Sequence, residues 1–196
     1  MIIIIEHEAA RFSCAGDGNA PSYGQDEVVL DFALEKQLLD KWCWAAIAVS
    51  LAKFYRPAEV HQAELAGKML GFDAADFAAD DTLKERYNQT FLLYKALEAV
   101  HCYSHWSLGK PCFERLQYEI NQGHPVCCRI EWYRGNAHYA VVRGYNARSR
   151  EIYVEDSLHA SEKILFDRFP AHYKKAGGAW TETYWTKNQL KQKPNL

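Results

Sequence analysis

The 196-residue sequence predicts an α+β fold, helices first and antiparallel strands second, on two observations. From Asp40 to about residue 122 the apolar residues recur at helical spacing, and after "NQGHP" the pattern changes to period two. Such segregation puts a helical half beside an antiparallel sheet in one domain. In order, "MIIIIEHEAAR" holds a short strand-like run over Ile2–Ile5, and "SCAGDGNAPSYG" reads as loop. Residues 1–27 are therefore expected to form an N-terminal strand and loop arm. "WCWAAIAVSLAKFY" is apolar nearly all round, which predicts a buried helix ended by Pro57. Further helices are expected over about 58–70, 83–101 and 111–122. The helix over 83–101 carries the stripe Phe91, Tyr94, Leu97, Val100, and the acidic "GFDAADFAADDT" is expected to be loop or short helix. "VCCRIEW", "HYAVVRGY", "EIYVED", "EKILFDRF" and "WTETYWT" read as strands forming an antiparallel sheet or partial barrel. A single domain is expected over 28–186, with a polar tail over 187–196.

Bulk properties exclude several classes. A net charge of −2 gives no electrostatic reason to expect nucleic acid. The longest apolar stretch, Trp42 to Ala52, is about half of a membrane span, so no membrane insertion is expected. Four isoleucines run straight into Glu6 without a basic start, which is not an export signal. The expected location is cytoplasmic, with delivery into another cell by a specialised secretion system as the alternative. The six cysteines form no CxxC pair, and Cys127 and Cys128 are adjacent, so they point to opposite faces of a strand. Reduced thiols and no metal site are the expectation.

One cysteine has different surroundings. In "QLLDKWCWAA", Cys43 opens the buried helix, with Asp40 as its expected N-cap. A helix N-terminus favours negative charge, and the thiolate is the reactive form of cysteine. A nucleophile also needs an imidazole to exchange a proton with, and a third group to orient that ring. His138 opens the strand "HYAVVRGY", on one face with Ala140 and Val142. In the next strand Asp156 alternates with Ile152 and Val154, so it points with the apolar side while Glu155 points away. A carboxylate there needs a partner, and His138 is available one strand over. The backbone N–H of Cys43 and the amide of Gln37, six residues earlier, suit an oxyanion hole. Each residue alone has a plainer reading: core thiol, surface glutamine, structural histidine, turn aspartate. Their joint order and strand phase favour the site. Cys14, Cys102, Cys112, Cys127 and Cys128 read as structural, His124 as a loop residue, and Trp132 as core or cleft wall.

This set resembles the papain-like cysteine peptidases, in which a Gln precedes by six residues a Cys-Trp opening a long buried helix. Here that pattern is Gln37, Cys43-Trp44, His138 and Asp156. "HYAVVRGY" looks like the His-Ala-Val-x-x-x-Gly-Tyr strand with Tyr139 interposed, and "INQGHPV" like the Gly-x-Pro-Val strand entry of small bacterial members. Those members include bacteriocin-leader peptidases and papain-like effector proteases. The resemblance spans roughly residues 35 to 170 and implies a papain-like fold with a Cys-His-Asp triad. It also implies a protein or leader-peptide substrate and no cofactor. Transglutaminase-like or amide-exchange acyl transfer is the alternative, and a non-catalytic binding domain a lesser one. Two departures stand out. His138 follows Cys43 by 95 residues, against about 130–150 in papain, and Asp156 is followed by Ser157 where small relatives often have proline. The sequence sets no oligomeric state, and its one substrate hint is the acidic 73–81 segment, which points to basic substrates.

Overall fold

The structure, a computed structural model, describes residues 25–191. Cys14 and the expected Ile2–Ile5 strand lie outside those residues. Within them the chain runs through β1 (Glu27–Val29), α1 (Cys43–Tyr55), α2 (Gln62–Leu70), α3 (Ala74–Ala79), α4 (Asp81–Tyr87) and α5 (Leu93–Ala99). Then come β2 (Tyr103–Leu108), α6 (Phe113–Asn121), β3 (Val126–Trp132), β4 (Ala137–Asn146), β5 (Glu151–Glu155), β6 (Glu162–Leu165) and β7 (Gly178–Thr186). Helices thus precede most of the sheet, as the change of period predicts. The sheet order is β2-β7-β3-β4-β5-β6, with β1 also on β4, and every pairing is antiparallel.

Both faces of the sheet are covered, so its central strands are apolar on both sides. Cys127, Val141 and Tyr184 pack under α1, α2 and α5 in one core. Cys128, Ala140, Val142, Ile152 and Val154 face a second core closed by α6 and by Phe166, Phe169, Tyr173 and Trp180. The two adjacent cysteines therefore do point to opposite faces. Burial pushes the Cys102 thiol up to about 11 and Cys127 well above its ordinary value, which suits packing rather than chemistry. β1 reaches β4 because Gly144 has no side chain: a Cβ there would lie 2.7 Å from the Val28 carbonyl oxygen.

Two expectations need correction, and one strand is unforeseen. The single helix over 83–101 is two, α4 and α5, separated by 88–92. Helix propensity loses there because the linker's carbonyls bond to the tryptophans beside Cys43, as described below. The helix expected from 58 starts at Gln62, where His61 and Glu64 form a capping box. Strand β2, "YSHWSL", has no alternation to announce it because it is an edge strand paired only with β7. The acidic segment contains the short helix α3, capped by Asp73. Among the described residues, no helix is long and apolar enough to cross a membrane.

Candidate active site

Cys43 is the first residue of α1, which is buried from Cys43 to Ala52. Asp40 does not cap it. Trp42 is the N-cap residue, makes no side-chain cap bond, and the first turn holds no acid. The reason is local: Trp42 N–H donates to the Leu39 carbonyl at 2.9 Å, closing a turn that leaves Asp40 exposed. The positive end of α1 therefore has no carboxylate of its own and faces the Cys43 sulfur.

The two tryptophans fix that end of the helix. Trp42 and Trp44 are fully buried, and their indole N–H groups donate to the carbonyls of Tyr87 (2.8 Å) and Gln89 (3.1 Å). Lys41 N–H donates to Asn88 Oδ1 at 2.9 Å. The α4–α5 linker is thus fastened to the segment that carries the thiol, and its Thr90 borders the same cavity as Cys43 and His138.

His138 lies near the start of β4 and is 6% exposed. Its Nε2 donates to Asp156 Oδ1 at 2.9 Å, which leaves Nδ1 as the nitrogen available to the thiol. Burial is the largest influence on the ring and opposes its charge. The hydrogen bonds and charges of Asp156 and Cys43 outweigh it, so the imidazole is pushed up to about 9. Asp156, one residue beyond β5, is buried, which alone would raise it. The His138 bond and charge, with the backbone N–H of Leu158, hold it well below the usual carboxylate range. Its Oδ1 also accepts from Leu158 N–H (2.8 Å) and His159 N–H (3.1 Å).

Two aromatic residues enclose this pair. The Tyr173 hydroxyl donates to Asp156 Oδ2 at 3.1 Å. Trp132 stacks on His138 (centroids 6.4 Å apart) and on Tyr173 (6.1 Å). His138, Asp156, Tyr173 and Trp132 therefore form a closed ring of contacts. Burial, and then the Asp156 charge, push the Tyr173 phenol far up, so it remains a donor at every relevant pH. Trp132 is cleft wall as well as packing. Sequence reasoning misses Tyr173, because "AHYKK" has no periodicity and lies 17 residues from its partner.

Gln37 arrives by a different route. From β1 the chain follows β4, with Leu30 bonded in both directions to Arg143, and meets the loop after Asp156. There Gln37 N–H donates to the Ser157 carbonyl (3.2 Å), and the Ser157 hydroxyl donates to Gln37 Oε1 (2.7 Å). Gln37 Nε2 donates to the carbonyls of Leu39 (2.9 Å) and Asp40 (2.7 Å). The structure brings Cys43, His138 and Asp156 together. It places Gln37 on the turn leading into Cys43, with its amide engaged by that turn. Among the described residues, no group of three His, Cys, Asp or Glu is arranged to hold a metal ion.

A cysteine opening a buried helix against a sheet-borne histidine and aspartate defines the class: the chain is of the papain-like cysteine peptidase superfamily. Within it, residues 29–185 match the Peptidase_C39 like family, and the chain belongs to that family. The fold is similar to that of xylellain, a cysteine protease from Xylella fastidiosa. The TM-score is 0.51 and the identity 11%, over 82% of this chain and 85% of that one. No curated protein matches the chain in sequence.

Proposed function

We propose that this protein is a cysteine peptidase that hydrolyses peptide bonds of a protein or peptide through Cys43, His138 and Asp156. One observation carries the reading: His138, held in a buried, charge-favouring pair with Asp156, borders one cavity with the first residue of a buried helix, Cys43. His138 takes the thiol proton, and the thiolate attacks the peptide carbonyl carbon. The oxyanion accepts from the Cys43 N–H and from Gln37, which exchanges one of its turn carbonyls for it. As the intermediate collapses, His138 protonates the departing amine and a thioester forms. A water molecule then attacks, giving its proton to His138, and the acid leaves as the thiol is restored. Asp156 orients the ring and stabilises its positive charge. No step calls for a cofactor. Leu92 and Leu158, both about half exposed, border the two cavities beside Cys43 and offer apolar contact to an extended chain.

The test is to incubate the wild type and Cys43→Ala with candidate proteins and peptides and to map new termini by mass spectrometry. New N-termini with the wild type alone support hydrolysis. Isopeptides or exchanged amines would assign the site to acyl transfer instead. In parallel, iodoacetamide should modify Cys43 near neutral pH, and His138→Ala should slow turnover by at least about 10²-fold. Labelling that is unchanged in His138→Ala would refute the thiolate–imidazolium pair.

A further inference from the structure

The walls beside Cys43 have the opposite charge balance to the chain as a whole. The sequence holds 25 acids to 23 lysines and arginines, yet the cavity on the His138 side is lined by Lys41, Arg134 and Lys174, with Asp40 as its acid. The second cavity, towards Phe91 and Tyr139, also borders Cys43; it is lined by Lys41 and Arg129 and by no acid. Lys41 borders both.

Two of these cations are already neutralised. Lys174 pairs with Glu162 at 2.9 Å, and Arg129 pairs with Glu131 and with Glu182. Lys41 and Arg134 are exposed, and among the described residues neither has a carboxylate within ion-pair distance. They come from different segments, the turn into α1 and the β3–β4 hairpin. Like charges lining one cleft with apolar sides raise the local concentration of anions. The acidic 73–81 segment, which from sequence points to basic substrates, lines neither cavity.

We propose that the cleft selects acidic peptides, with an Asp or Glu side chain of the substrate seated in the cavity that Lys41 and Arg134 share. This rests on the peptidase reading above and narrows its substrate class. Cleavage of a mixed peptide library by the wild type should give sites enriched in Asp or Glu within a few residues of the cut bond. Arg134→Gln and Lys41→Gln should each reduce that enrichment, and Arg134→Glu should reverse it. Exposed ion pairs are worth up to about fivefold each, and the preference should narrow as salt is raised.

A second readout needs no turnover. Iodoacetate is anionic and iodoacetamide neutral, so the ratio of their rates at Cys43 reports the charge of the cleft. That ratio should fall by about threefold in Arg134→Glu, with thermal unfolding used to verify folding. Peptides cut without acidic enrichment, together with a ratio equal in all variants, would overturn the acidic preference and leave the peptidase reading standing. A Cys43 that resists both reagents in a protein that cuts no peptide would overturn the peptidase reading and this proposal with it.

Discussion

At the scale of single residues, the His138–Asp156 pair sets the pH behaviour. His138 is raised from 6.5 to about 9, so its contribution to stability is complete below 6.5 and is lost as pH rises through about 9. Asp156 is lowered from 3.8, so its contribution is complete above that value and is lost as pH falls below it. Both contributions are complete between about 3.8 and 6.5, so the melting temperature should plateau there and fall on either side. In Asp156→Asn the alkaline limb of kcat/KM should move towards acid by about 1–3 pH units, because the ring loses its carboxylate. Tyr173→Phe removes one hydroxyl and leaves Asp156 Oδ2 without that donor. A buried acceptor left unsatisfied costs about 1–3 kcal/mol, which urea unfolding measures. A merely structural tyrosine would stop there. A positioning one should also move the acid limb of the profile to higher pH, since the carboxylate loses a bond that favours its charged form.

At the scale of elements, α1 and the α4–α5 linker act as one body. Trp42 and Trp44 flank Cys43, but their work is to hold the linker through Tyr87 and Gln89. Trp44→Phe keeps most of the packing and deletes the donor, so a loss of about 0.5–1.5 kcal/mol is expected. Because Thr90 borders the cavity, KM should rise by more than kcat falls. Trp44→Ala adds a core cavity and should cost about 3–5 kcal/mol. Ser157 plays a comparable part for Gln37. A proline there, as in small relatives, has no hydroxyl to donate to Gln37 Oε1. Ser157→Ala should therefore lower kcat with little change in the rate at which iodoacetamide modifies Cys43, since that reaction forms no oxyanion.

At the scale of the whole molecule, one sheet separates two cores, and the site lies where strands from the sheet meet the end of a helix from the first core. The position of Gln37 depends on β1 lying against β4, which Gly144 permits. Gly144→Ala would put a Cβ against the Val28 carbonyl and Val29 Cα. Overpacking of this kind costs about 1–3 kcal/mol, so the melting temperature should fall by several degrees, measurable by calorimetry. Activity should fall with it, because the strand leading to Gln37 shifts.

Sequence by itself determined whatever depends on local periodicity and on the identity of single side chains. The buried run after Cys43 specifies a core helix, and the alternation of "HYAVVRGY" and "EIYVED" sets the phase that turns His138 and Asp156 to the same side. Adjacent antiparallel strands then bring those two within reach, so most of the proposed site was legible. Only tertiary structure decided what rests on contacts distant in the chain. The break between α4 and α5 is imposed by two indoles 45 residues away, and helical spacing carries no trace of them. Tyr173 reaches Asp156 from a segment without pattern, and the Ser157 hydroxyl meets Gln37 across 120 residues. The charge of the cleft is likewise invisible in composition, because Lys41 and Arg134 come to line one cavity with Cys43 only when the turn into α1 and the β3–β4 hairpin are folded beside each other.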